Sequence, residues 1–557
     1  MKKLKSKLVA LLMLATLPMA STAFAEGGVE VMHLGVNNTM VRVTGTAKYL
    51  LIPVQESAEE ARVKVLVDGE PAKNLNIRLA MNRVDYLVPF LLTPYEGHRV
   101  LLNIVTTQGR STLREVKDDA CWKEMKLSDT FDTANREQYR PAFHHTPLYG
   151  WMNDPNGMFF KDGTWHLYYQ YNPYGSKWQN MSWGHSTSKD LITWEHQPVA
   201  LEVDGLGHVF SGSAVVDTAG TASFGKDAIV ALYTSCDASQ YQSMAYSTDG
   251  GTTFRRYPGN PILTLESEAR DPNMFWDDKA GQWVLTLAHA LDHEILFFTS
   301  PDLKVWTLQS AFGKGEGAQD GVWECPDLFK LKVEGTDEEK WVLICNLNPG
   351  GPFGGSATQY FIGDFDGKTF TSDTDASGRI PTKWMDFGKD HYATVSWSGT
   401  PQNRRTVIGW MSNWQYAAEV PTTQYRSANT LPRDLSLFRA PDGEIYLASA
   451  PAAELTALRG TLAAKAKKAT AGKKPRVFEL PAANRGICEI LLDIDARKAD
   501  SVSIDITNKA GERVALTYNP AAHTLAFDRH NSGLKDFSKD FPAVTVAPTF
   551  ENGRKIS

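Results

Sequence analysis

Cysteine is scarce: five in 557 residues, an odd number, with no CxxC or Cys/His spacing. That excludes a disulfide-stapled scaffold and a zinc site of ordinary ligand spacing. Buried free thiols are the simplest reading, with one disulfide left open in an oxidising compartment. An excess of positive charge is also missing. Lys and Arg total 58 against 64 Asp and Glu, a net charge of −6, so nothing points to nucleic acid. The one basic run, "KAKKATAGKKPR" (465–476), reads as a solvated linker. Long apolar runs are limited to "LVALLMLATLPMA", too short for a confident membrane span. It follows the basic "MKKLKSK" and precedes a small-x-small site, Ala23-Phe24-Ala25. This is the pattern of a signal peptide over 1–25, with the mature chain starting near Glu26. No cysteine follows the cleavage site, so a lipid anchor is not supported. The expectation is an exported protein, periplasmic or secreted, with no membrane insertion after cleavage.

Helical periodicity is lacking too; what is present is strand patterning and aromatics. Aromatic residues make up 11% of the chain, including 15 Trp. Their flat faces suit core packing and sugar binding alike. The length implies two to four domains. Residues 26–118 alternate as short strands ("ARVKVLVDG", "RVDYLVPFLL", "HRVLLNIVTT") and read as a small antiparallel β-sandwich. Residues 119–140 read as a charged connector. From 141 to 440 a unit repeats, each closing on a Ser/Thr-Asp-x-x-Trp/Phe motif. The closings end at Trp194, Phe254, Trp306 and Phe370, and a fifth unit lacks the motif. Five strand-rich units predict a five-bladed β-propeller, with a sandwich carrying long insertions as the competing reading. Residues 441–557 read as a linker and a C-terminal β-sandwich, with strands at "RVFEL", "GICEILLDI", "SVSIDITN", "RVALTYN" and "TLAFDR". The fold class is therefore all-β.

Acids stand beside aromatics in three unit openings: "WMNDPNG" (Asp154), "EARDPNMFW" (Arg270, Asp271) and "VWECPDLF" (Glu324). Alone, an Asp before Pro is a turn residue, and Asn153 to Gly157 is a run of turn formers. Three acids at matching points of a repeat are another matter. A carboxylate in apolar surroundings is costly without a task or a partner, and a propeller brings its unit openings to one axial pocket.

These motifs, with "FSGSAV" (210–215), "FGKDHYA" and "LPRDL" (431–435), resemble glycoside hydrolase family 32, the β-fructosidases. They occur in family order over about 145–440. The resemblance implies a five-bladed propeller followed by a β-sandwich. It also implies a retaining hydrolase that releases terminal fructose from levan, inulin or sucrose through a covalent fructosyl-enzyme. By the same resemblance Asp154 is the nucleophile, Glu324 the general acid/base and Asp271 the transition-state stabiliser. Substrate-binding positions carried over are Asn153, Gln170, Trp178, Phe210, Ser211, Arg270 and Trp410, with Trp414 as an alternative to Trp410. Retaining hydrolysis needs one ionised and one protonated carboxyl group. Glu324, between Trp323 and Cys325, is expected in an apolar pocket that keeps it protonated. Asp271, beside Arg270, is expected to stay charged.

No metal or organic cofactor is implied, since the reaction needs only water and carboxyl groups. An endo-acting levanase or inulinase on the same scaffold is the alternative. An inverting arabinan-type propeller hydrolase and a non-catalytic sugar-binding propeller fit the motifs less well. Two departures from the family pattern stand out. The N-terminal β-domain is extra, and the C-terminal strands with a Ser-Ser-x-Glu-x-Phe-like segment are missing. The second predicts an incomplete C-terminal sandwich.

Overall fold

The computed structural model describes residues 23–24, 28–107, 111–134, 137–462, 464–465, 472, 474–480, 486–496 and 498–550. Apart from Ala23–Phe24, the predicted signal segment lies outside the described residues. The chain divides into two compact units at Phe131/Asp132.

The first unit has two antiparallel sheets. The larger runs, in spatial order, Ala23–Phe24, Val29–Gly35, Asn38–Val43, Val100–Val105, Ala61–Val67 and Glu70–Ile77; the smaller runs Tyr86–Leu91, Tyr49–Val54 and Lys126–Ser128. Ala61–Val67 shows why: Ala61, Val63 and Val65 are buried while Arg62 and Lys64 face water, the period of a half-buried strand. The unit extends past the expected boundary at 118. Residues 120–124 form a helix that buries Cys121 and Trp122, and Lys126–Ser128 pairs with Tyr49–Leu51. The charged residues of this segment conceal a short apolar anchor.

The second unit carries the propeller. Its five sheets follow chain order, and each innermost strand comes first: Gly150–Lys161, His208–Asp217, Ala269–Asp277, Val322–Lys332 and Tyr392–Ser396. Every successive pair within a blade is antiparallel. The repeated Ser-x-Asp motif does not end a blade. It forms the turn from the third strand to the outer one, where Ser188, Ser247 and Ser300 donate to Asp190, Asp249 and Asp302. Asp190 in turn accepts from the amides of Ile192 and Thr193, the local bonding that makes Asp a turn former. Closure of the ring uses the excursion within blade five. Tyr425–Arg426 pairs in parallel with Gly150–Trp151 on the inner edge of blade one.

Gly150 shows how tight that edge is. Its φ is +79°, and a Cβ there would lie 2.3 Å from the carbonyl oxygen of Asn172. Neither the conformation nor the contact tolerates a side chain. Gly150→Ala is expected to destabilise the propeller by about 3 kcal/mol or more, read as a lowered denaturation midpoint at unchanged slope.

Residues 502–548 form a four-stranded antiparallel sheet, Val502–Thr507, Arg513–Asn519, Thr524–Asn531 and Val544–Pro548. It meets the propeller through Phe550, which packs on Phe438 and Tyr446 of blade five. The strands expected at "RVFEL" and "GICEILLDI" do not form among the described residues: 475–480 and 487–496 carry no strand, and Phe478 and Leu491 are exposed. Alternation of apolar residues makes a strand only where a neighbour supplies the hydrogen-bond ladder.

Candidate active site

The expected turn at Asn153–Gly157 is instead part of a continuous strand, Gly150–Lys161, with two register shifts. The first places Asn153 and Asp154 opposite the single residue Gln170. Two residues facing one is a β-bulge, which bends a strand and re-aims side chains. All five innermost strands have a register shift at the corresponding level: between Met152 and Pro155, Val209 and Gly212, Arg270 and Asn273, Glu324 and Asp327, and Tyr392 and Val395. Three non-glycine residues there hold positive φ: Asp271 (63°), Cys325 (46°) and Ala393 (52°). Backbone held in that region is uncommon and concentrates at functional sites.

The bulges bring the three predicted acids into one network. Asp154 accepts from Asn153 Nδ2 (3.0 Å) through Oδ1 and from Ser211 Oγ (2.8 Å) through Oδ2. Asn153 is itself fixed by Trp151 Nε1, which donates to its Oδ1 at 2.8 Å. The Cys325 thiol lies 3.5 Å from both Asp154 Oδ2 and Asp271 Oδ2, so one sulfur spans two carboxylates. Asp271 also accepts from the Cys325 amide at 2.9 Å. Its own amide donates to Thr234 Oγ1. Glu324, one residue before Cys325, accepts from Arg270 Nε at 3.1 Å and from the Tyr392 hydroxyl. Arg270 pairs with Glu268 as well, at 3.0 Å.

The surroundings of Glu324 differ from the expectation. Successive strand residues face opposite sides. Trp323 therefore points into the blade core, where its Nε1 donates to the Ala318 carbonyl, and Glu324 meets a guanidinium and a phenol. The electrostatic setting of Asp271 also differs. Burial, then the charge of Glu324, raises its pKa well above the ordinary carboxylate range, and Arg270 only partly offsets this. The guanidinium is turned toward Glu324 rather than Asp271. Asp154 is pushed up to about 6, by burial first and Glu324 second, with the donors Asn153, Ser211 and Cys325 pulling back. Three carboxyl groups this close cannot all ionise at the ordinary pKa.

An aromatic wall flanks the acids. Trp414, half-buried, stacks on Trp151 (5.7 Å, 25°) and meets Trp410 at 4.9 Å. Trp410 is fully buried. It therefore backs the wall and offers no face to a ligand, while Trp414, the alternative to it, is the partly exposed member. Trp178 is 39% exposed and makes ring contacts with His208 and Phe210. Gln170 is buried and donates to the Val209 carbonyl, fixing the start of the Phe210–Ser211 bulge. All five cysteines are free thiols.

Sequence reasoning passed over two groups. Tyr392 touches Glu324, and the Cys325 thiol bridges Asp154 and Asp271. The signal for Tyr392 was its place in "FGKDHYA", the opening of one of the two units without an acid assigned to it. For Cys325 it was the repeat of x-Pro after the acid motif, which aligns Cys325-Pro326 with Asp271-Pro272. Further along the same strands a small cavity of mixed polar and apolar lining lies among Gly157, Ser213, Met274, Phe275, Asp327 and Arg405.

A five-bladed propeller that gathers carboxyl groups, an arginine and a tyrosine beside an aromatic wall defines a glycosidase working through acid/base chemistry. The chain belongs to glycosyl hydrolase family 32: residues 144–451 match its N-terminal domain and residues 454–557 its C-terminal domain. Residues 35–143 match a domain of unknown function, DUF4980. The chain is 43% identical to a levanase of Bacillus subtilis over 437 residues, covering 76% of this chain and 61% of the levanase. It is 38% identical to an extracellular exo-inulinase of Aspergillus niger over 74% of this chain and 83% of that one. The crystal structure of exo-inulinase from Aspergillus awamori superposes with a TM-score of 0.65 at 35% identity, covering 75% of this chain and 87% of that one.

Proposed function

We propose that the protein is a retaining exo-β-fructosidase acting on levan, inulin and sucrose, with Asp154 as nucleophile, Glu324 as acid/base and Asp271 as transition-state stabiliser. The observation that carries this reading is the convergence of three carboxyl groups: Asp154 and Asp271 on one thiol, Glu324 on the adjoining residue. In the first step an Asp154 oxygen attacks the anomeric carbon of the terminal fructose. Its other interactions, from Asn153 and Ser211, orient it without neutralising it. Glu324 gives its proton to the departing oxygen, and Arg270 and Tyr392 hold the resulting carboxylate. Asp271 accepts hydrogen bonds from fructose hydroxyls as positive charge grows on the ring. In the second step Glu324 takes a proton from water, and that water releases fructose from Asp154.

Trp178, Phe210 and Trp414 supply apolar faces for the sugar. Export to the periplasm or medium is part of the same proposal. It rests on the N-terminal basic and apolar segments and on the extracellular inulinases among the relatives. Among the described residues no helix is long and apolar enough to cross a membrane.

The product pattern tests the reading. Incubation with levan and with inulin is expected to give fructose alone from the earliest times, with β-fructofuranose as the first anomer seen by NMR. Fructo-oligosaccharides as first products would favour the endo alternative, and the opposite anomer would remove the covalent step.

A further inference from the structure

We propose that Arg529, on the third strand of the C-terminal sheet, is a positioning residue for the acid/base, acting through the segment that carries Tyr392. This rests on the reading of Glu324 above. Arg529 is far from the acids in sequence, yet both terminal nitrogens of its guanidinium reach the propeller. It ion-pairs with Asp390 Oδ2. Its Nη2 donates to the Tyr416 hydroxyl at 2.8 Å. That hydroxyl donates in turn to Asp390 Oδ1 at 2.5 Å, which closes a three-membered ring of polar contacts. The guanidinium itself is held by the Phe541 carbonyl, which accepts from Nε at 2.7 Å, and by the Phe541 ring 4.1 Å away.

Both segments gripped by this fork lead into the site. Asp390 stands two residues before Tyr392, whose hydroxyl bonds Glu324. Tyr416 stands two residues after Trp414, which stacks on Trp151, the partner of Asn153. The two segments are also tied to each other, since Asn413 Nδ2 donates to the Lys389 carbonyl at 2.8 Å. The Lys389 ammonium in turn donates at 2.7 Å to the carbonyl of Asp540, in the loop between the third and fourth strands of the C-terminal sheet. A half-buried arginine whose planar fork holds two partners fixes geometry better than a flexible lysine. One guanidinium therefore sets where the Tyr392 hydroxyl sits, and through it the Glu324 carboxyl.

The test compares leaving groups in the full chain. Sucrose needs its departing oxygen protonated, whereas an aryl fructoside with an acidic phenol departs unaided. Arg529→Gln is expected to lower kcat/KM on sucrose about tenfold, in the range of coupling through a contact network. On the aryl fructoside the loss should stay within about twofold, and Arg529→Lys should recover part of the sucrose activity. Tyr416→Phe, a milder cut of the same ring, decides the matter if Arg529→Gln fails to fold: the same split supports the proposal. Equal losses on both substrates, or none, would overturn it. Glu324→Ala run in parallel separates the two failures. If that variant shows no leaving-group split, the acid/base assignment has failed; if it does and the Arg529 and Tyr416 variants do not, only the positioning role has.

Discussion

Asp154→Asn is expected to lower kcat on levan, inulin and sucrose by about 10,000-fold or more, because the covalent step disappears with the nucleophile. Amide and carboxylate are nearly the same size; the Asn oxygen can still accept from Asn153 Nδ2, and its NH2 can donate to Ser211 Oγ, so the fold should survive. Stability should move the other way. Asp154 has its pKa raised to about 6 in the folded protein, above its value in an unfolded chain. The folded state then binds the proton more tightly than the unfolded one. That contribution to stability is fully present below about pH 4 and is lost as pH rises through about 6. The substitution removes the buried charge. At pH 8 the variant should melt a few degrees above the parent, and near pH 4 the difference should vanish. Activity within tenfold of the parent would refute the nucleophile assignment, and a lower melting temperature at pH 8 would contradict the burial argument.

Glu324→Ala is the second large effect. Hydrolysis of sucrose and levan should fall about 1,000-fold, in the usual range for a general acid/base. An activated aryl fructoside should keep its first step and stall at the fructosyl-enzyme, seen as a burst of phenol followed by slow turnover. Added azide should speed that turnover and appear as fructosyl azide, since a small anion entering the vacated space needs no general base. Absence of both burst and azide product would show that Glu324 does other work. Because Arg270 and Tyr392 both address Glu324, the variant leaves a buried cation short of one partner, so melting temperature should be followed alongside.

Much of this site was legible in the sequence because its acids sit in motifs that repeat at blade openings. Asp154, Asp271 and Glu324 stand out as charges among aromatics, and the period of the strands points to a propeller. Less visible was how the backbone delivers them. A run of Asn, Asp, Pro, Asn and Gly reads locally as a turn, yet in the blade it is a bulged strand, since neighbours on either side supply a ladder that local propensity cannot anticipate. Tyr392 was hidden for a related reason: a tyrosine in a strand is an ordinary core residue until its hydroxyl is seen on Glu324. Trp410 shows the converse. The motif singled it out, but the fold buries it completely against Trp414. The pull of Arg270 on Asp271 was overestimated because its guanidinium is turned toward Glu324, leaving burial as the larger influence on Asp271.

The parallel pairing of Tyr425–Arg426 with Gly150–Trp151 has a consequence in time. The strand that carries Asp154 receives its edge partner only after some 275 further residues have been made. At ordinary synthesis rates of about 5–20 residues per second, that is a wait of roughly 15–55 s during which the blade bearing Asp154 stands open. Until then the ring cannot shut. The nascent chain is therefore expected to have no hydrolytic power, and activity should arise late and all at once.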